Sequence, residues 1–321
     1  MGLQLQCAQC HDHPFDRWTQ KDFWRYAAFF SQLEQTDSQM GRDSIIEDRP
    51  GGEVTLPETD TVMPPRYPGV VDPPEPDPAN MRRRQLTIWM ASRDNPYFAR
   101  AAVNRVWDHL FGRGLVDPVD AMDADNRPSH PELLNFLADY FVKQRFNLRT
   151  LYATLAQSKA YGRTSGITAA QRPPENSFAS MTVKTLSAEQ FYDSLHQNIY
   201  RKRATSPGDR NSADRVARGQ FLTRMRSPGT SPRDYPHGVV QALGIMNGPE
   251  IIGATNPDRL GLLTSLEAPF FQDSDRIETL FLATLSRPPR SDETERLAKH
   301  LANAQTSEER RLMISDVLWI L

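Results

Sequence analysis

The sequence predicts a mainly α protein with one small β-hairpin, and three observations predict it. Apolar residues recur at helical spacing in one run after another, from residue 20 to the last residue. Most of these runs open on a capping residue and close near glycine, proline or serine. A single stretch rich in proline and glycine, near residues 44–70, breaks the helical rhythm.

The first helix is expected after Thr19, an N-cap residue with Asp22 three positions on. Phe23, Tyr26, Ala27, Phe29, Phe30 and Leu33 then share one face, and Lys21, Arg25 and Gln32 the opposite one. Nine of the 25 prolines lie between Pro50 and Pro78, which excludes a long helix there. Within that stretch Gly51-Gly52 separates Ser44-Ile45-Ile46-Glu47 from Glu53-Val54-Thr55-Leu56, the pattern of a hairpin. Pro73-Pro74-Glu75-Pro76-Asp77-Pro78 reads as a stiff connector. The expected organisation is therefore residues 1–35, a connector over 36–80 and a helical domain over 81–321.

In that domain a helix is expected over 81–92. Asp94-Asn95-Pro96 opens a second over 97–111, closed by Gly112 and Gly114. On it Ala99, Ala102, Val103, Val106, Trp107 and Leu110 line one side, while Arg100, Asn104 and Asp108 line another. Ser129-His130-Pro131-Glu132 has the form of a capping box for 131–145. Helices over 147–160, 187–200 (from Ser187 and Gln190), 213–225, 235–246, 275–286, 291–304 and 307–321 complete the reading.

Charge and motifs narrow the function classes. A formal net charge of −2 gives no whole-chain attraction to nucleic acid or membrane. No apolar run approaches the ~20 residues that a membrane helix needs. The segment from Arg201 to Arg233 is rich in cations, among them Lys202, Arg203, Arg210, Arg215, Arg218, Arg224 and Arg226, with Asp209 and Asp214 its acids. Such a patch suits an anionic polysaccharide or an acidic protein, although an exposed loop is the simpler reading. Its sparse aromatic content excludes a nucleic-acid surface. The sequence has no Gly-x-Ser-x-Gly, Walker loop or dinucleotide fingerprint.

The chemistry-bearing motif is Cys7-Ala8-Gln9-Cys10-His11, which holds the chain's two cysteines. Two thiols one short turn apart can add to the two vinyl groups of one haem, and the adjacent histidine can then bind the iron. Cys7 and Cys10 are thus the candidate thioether residues for a covalent haem c, with His11 the iron ligand. Trp18 and the aromatic helix are candidates to wall one haem face. The opposite iron position has several candidates in Met40, Met63, Met81, Met90, His109 and His130, or it stays open. Zinc on Cys7, Cys10, His11 and His13 is the alternative metal reading, and a local disulfide or redox pair a further one. Arg82-Arg83-Arg84 could neutralise haem propionates, although a solvated charge run is simpler. Arg100, Asn104, Arg105, Asp108 and His109 could form a polar site, with a solvent-facing helix arc again the plainer reading.

Gly2 through Asp16, with Trp18-Thr19-Gln20 and Phe23 to Phe30, resembles the cytochrome c-like domain of planctomycete-type secreted proteins. Asn95 to Trp107, Gly112 to Pro118, Ser129 to Leu134, Ser158 to Tyr161 and Leu285 to Pro289 are similar to the planctomycete-specific helical domain that follows it. The resemblance implies export to the periplasm or beyond, and a precursor with a leader and further upstream sequence. Met1-Gly2-Leu3-Gln4 is no leader, and Asp316 to Leu321 stops within an apolar helical pattern, so the chain reads as a fragment. The expected function is that of an extracytoplasmic electron-transfer protein with a redox or envelope protein as partner. The alternatives are an envelope scaffold with a structural metal site and an enzyme of polysaccharide turnover.

Overall fold

The structure is a computed structural model that describes residues 1–37, 44–70, 81–93, 95–166, 173–200, 212–225, 238–258 and 261–321. The mainly helical reading is borne out, with one small antiparallel sheet. The chain divides into two compact units, Met1–Val183 and Lys184–Leu321. The proline connector over 73–78, Asp94, Met40 and most of the basic segment (Arg201, Lys202, Arg203, Arg210, Arg226 and Arg233) lie outside the described residues.

In the first unit Thr19 and Asp22 form the expected capping box and open α1 (Gln20–Ala27). The helix then tightens into a 3-10 turn, Ala28–Phe30. That turn advances each residue further round the axis than an α-helix does. As a result Phe29 is buried while Phe30 and Leu33 point outward, so the expected single aromatic face splits.

The sheet pairs β1 (Leu33–Asp37) with β2 (Ser44–Asp48), from Leu33 opposite Asp48 to Asp37 opposite Ser44. The expected pairing of 44–47 with 53–56 is not formed, because Gly51-Gly52 serves another purpose. Gly52 has φ +87, and a Cβ there would collide with the Ser31 carbonyl. Glycine lets the chain run close over the 3-10 turn, where Ser31 Oγ donates to Gly52 O at 3.0 Å.

Arg82 opens α2 (Arg82–Met90) and closes this arrangement. Its Nη1 donates to Ser31 Oγ at 2.7 Å, Gly52 O at 3.1 Å and Ala28 O at 3.3 Å, and its Nη2 meets Glu53 at 3.2 Å. Arg83 pairs with Asp48 at 2.9 Å. Arg82 and Arg83 are therefore not simply solvated, whereas Arg84 is exposed. Loop carbonyls with no helical partner attract a guanidinium with several donors in one plane. Beneath it Tyr67 is stacked between Phe29 and Trp89, with both ring separations at 4.9 Å.

Asn95 caps α3 (Phe98–Phe111) by accepting from the N–H groups of Tyr97 and Phe98 at 2.9 and 2.8 Å. Gly112, left-handed at φ +76, ends the helix as expected. Asn104 and Asp108 are buried, however, and do not belong to a solvent arc; Arg105 and His109 are exposed. Gly114 lies so close to Asn104 that any side chain there would meet its amide.

Ser129 does not cap α4 (Pro131–Lys143); its hydroxyl donates to Leu115 O at 3.1 Å, and Pro131 opens the helix. Leu134, Leu137, Ala138 and Phe141 of α4 pack on Val103, Val106, Trp107 and Phe111 of α3. Leu151 and Leu155 of α5 (Leu148–Ala156) join that core. Each such side chain contributes roughly 2 kcal/mol by leaving water.

The second unit begins with α6 (Ala188–Leu195), whose expected capping box at Ser187 and Gln190 is present. A π-helical turn, His196–Tyr200, follows. Then come α7 (Ser212–Met225), α8 (Val239–Asn247), α9 (Pro249–Ala254), α10 (Leu262–Leu266), α11 (Asp273–Leu285), α12 (Ser291–Leu301) and α13 (Ser307–Ile320). The sequence pattern missed α9 and α10, each too short to show a period. Leu266, Ile277, Leu280, Phe281, Leu301 and Val317 form the heart of this core. Of the basic segment, Arg224 meets Glu250 through two bonds of 2.7 and 2.9 Å, and Arg218 faces Asp193 at 3.5 Å. Among the described residues no helix is long and apolar enough to cross a membrane.

Candidate functional site

Cys7–Gln9 forms a single 3-10 turn. The N–H groups of Cys10 and His11 both reach Cys7 O, at 3.4 and 3.5 Å. The two cysteines therefore sit one turn apart. Both thiols are free and exposed.

The His11 ring is exposed, and its Nδ1 lies 2.8 Å from Asp12 O. A carbonyl oxygen can only accept, so Nδ1 is the donor there, and in the neutral ring Nε2 is the nitrogen with the lone pair. That tautomer suits an imidazole that binds a metal through Nε2.

The turn is held from below and from one side. Ala8 is fully buried against Leu5 and Trp18. Trp18 is itself buried, so it floors the motif and is not the open wall that its position suggested. From α1, Trp24 Nε1 donates to Gln9 O and Gln20 Nε2 to Cys10 O, both at 3.0 Å. Gln20 N–H also donates to Asp12 Oδ1 at 2.8 Å. These bonds occupy the carbonyls on the α1 side and leave the cysteine side chains outward. Sequence reasoning missed Gln20 and Trp24. The one signal that could have found them is position, on the first turns of the helix that directly follows the motif.

His13 does not join the other three. Its Nδ1 accepts from Phe15 N–H at 3.2 Å, and the residue lines a small cleft with Gly2, Gln4, Asp16, Ala121, Met122 and Asp123. Among the described residues no three or more His, Cys, Asp or Glu side chains gather to hold a metal. The donor set of Cys7, Cys10 and His11 nevertheless suits a haem, which asks for two reachable thiols and one imidazole nitrogen, not a closed cage.

Of the candidates for the opposite iron position, Met63 is buried and Met90 packs in the Phe29 cluster. His109 lies edge-on to Tyr152 at 6.2 Å, and His130 Nδ1 sits 3.2 Å from Ser129 Oγ. Met81 directly precedes α2.

Fold and site together define a helical protein that presents an exposed Cys-x-x-Cys-His turn braced by an aromatic helix. Residues 1–35 match the family model described as PSCyt2, a protein of unknown function (DUF1549). Residues 82–199 match the one described as PSD1, a protein of unknown function (DUF1553). No curated protein and no solved structure matches the chain.

Proposed function

We propose that this chain is the haem-bearing part of an extracytoplasmic electron-transfer protein, with a redox or envelope protein as its partner. Cys7 and Cys10 would hold the porphyrin edge through two thioethers, and His11 Nε2 would bind the iron. Bound there, a haem supplies reversible one-electron chemistry at its metal. The chain's own residues set the stage for it. The Asp12 carbonyl keeps the proton on His11 Nδ1. Trp24 and Gln20 hold the peptide carbonyls of Gln9 and Cys10, so the turn is formed in advance of attachment.

The observation that carries this reading is the pairing of two exposed, unbridged thiols across one turn with an imidazole whose Nε2 is left available. The name of the family matched by residues 1–35, that of a planctomycete cytochrome-like domain, supports it. Attachment through thioethers also belongs with the oxidising side of a membrane, the source of the periplasmic or secreted assignment.

The test is expression behind an export leader in a host that matures c-type haem. A band that keeps haem stain on a denaturing gel, and loses it in a Cys7→Ser, Cys10→Ser variant, is expected. A colourless protein whose thiols both alkylate would overturn the proposal. A colourless protein that instead holds one equivalent of zinc, with both cysteines shielded from alkylation, would assign the site to a structural metal.

A further inference from the structure

We propose that Asp12 is a positioning residue of the cysteine site: its carboxylate, clamped to the first turn of α1, aims the carbonyl that holds the His11 ring. What His11 binds rests on the haem reading above, but the clamp lies in the protein alone.

The His11 ring is exposed, and the bond from its Nδ1 to Asp12 O, at 2.8 Å, is what orients it. That carbonyl is only as steady as the peptide that carries it. The peptide from Asp12 to His13 is gripped at its other edge. Its N–H, that of His13, donates to Trp18 O at 2.8 Å, and Trp18 is buried. A trans peptide is planar, with N–H and C=O on opposite edges, so an N–H turned toward Trp18 turns the carbonyl away from it. One such bond still leaves the plane free to swing about it.

The second grip comes from the Asp12 side chain, whose Oδ1 accepts the Gln20 N–H at 2.8 Å. Gln20 is the first residue of α1, where backbone N–H groups have no partner within the helix and favour an anionic acceptor. The capping box leaves this N–H unused, since Thr19 Oγ1 takes the Asp22 N–H and Asp22 takes the Thr19 N–H. Asp12 thus completes a path from α1 to the imidazole. The helix that braces Gln9 O and Cys10 O also steadies the ring. A ring with its proton on Nε2 has no lone pair there for iron, so the clamp sets how much of the protein is ready to take it.

The test reads the ring, not the haem. Nitrogen NMR shifts of His11 in the haem-free protein, in buffer alkaline enough for a neutral imidazole, give the ratio of the Nδ1–H to the Nε2–H tautomer. Wild type should favour Nδ1–H. Asp12→Ala should lower the ratio about fivefold, the worth of one hydrogen bond. Asp12→Asn, which keeps an acceptor oxygen, should restore part of it. Gln20→Pro removes the same N–H from its own end. Proline is tolerated at the first helical position, and Thr19 is already extended at ψ 162, as suits a residue before proline. Gln20→Ala loses the side chain but keeps the N–H, so Gln20→Pro should lower the ratio further than Gln20→Ala does.

A ratio unmoved in Asp12→Ala, or equal in Gln20→Pro and Gln20→Ala, overturns the clamp. If Asp12→Ala does not fold by circular dichroism, the two Gln20 variants decide. Failure of the haem reading shows separately, as wild type without haem stain.

Discussion

Asn104 and Val116 are joined by a reciprocal pair of hydrogen bonds: Asn104 Nδ2 donates to Val116 O and Val116 N–H donates to Asn104 Oδ1, both at 2.9 Å. Asn104 is fully buried and also reaches Val119 O at 3.1 Å. One side chain of α3 thus stands in for a strand partner of the loop after Gly114. Replacing it by leucine should cost about 3 kcal/mol, because two buried backbone groups and one half-buried carbonyl lose partners. Urea denaturation gives the number, and a loss below about 1 kcal/mol would show that the loop satisfies itself.

Arg82→Met keeps much of the aliphatic stem and removes the donors to Ala28, Ser31 and Gly52. A loss of about 2 kcal/mol is expected. Amide exchange should rise first over residues 28–32. Uniform exchange change across the first unit would mean that Arg82 acts through general stability, not through this junction.

Trp24→Phe retains an aromatic ring and deletes the N–H that holds Gln9 O. The turn should loosen with little change in overall stability. In the haem-free protein, alkylation of Cys7 and Cys10 should quicken and amide exchange at Cys10 and His11 should rise. Unchanged rates at all of these groups would remove Trp24 from the motif's support.

Arg287 donates to both Glu293 oxygens, at 2.7 and 2.8 Å, and holds that carboxyl down to about 2 from its usual 4.5. A carboxylate whose pKa falls on folding stabilises the fold above its unfolded value. The contribution fades as pH drops from 4.5 toward about 2. Glu293→Gln should therefore flatten the acid side of the stability curve in that window and leave its slope near neutrality unchanged. An acid limb identical to wild type would assign the loss to other carboxylates.

On the haem-loaded protein, His11→Ala should keep the stain, since thioethers do not need the imidazole, and should alter the iron spectrum. Added imidazole should restore much of the original spectrum. If the spectrum of His11→Ala matches wild type without imidazole, another residue binds the iron.

Local signals carried well from sequence to structure. The capping boxes at Thr19 and Ser187 and the left-handed stop at Gly112 depend on residues within one turn, and all three are present. Readings that needed a distant partner did not carry. Asn104 looked like part of a solvent arc because its partner lies 12 residues away. Ser44–Asp48 looked like a hairpin with 53–56, whereas its partner strand precedes it and Gly52 crosses the 3-10 turn instead. At the candidate site the motif itself was legible, but not its braces. Gln20 and Trp24 act through backbone carbonyls, which leave no trace in residue type.

The stack of Phe29, Tyr67 and Trp89 draws one ring from each of three consecutive stretches of the chain. A gene rearrangement that moved the first stretch alone would leave a greasy notch on both products. Expressed by itself, the short cysteine-bearing piece would self-associate or be degraded.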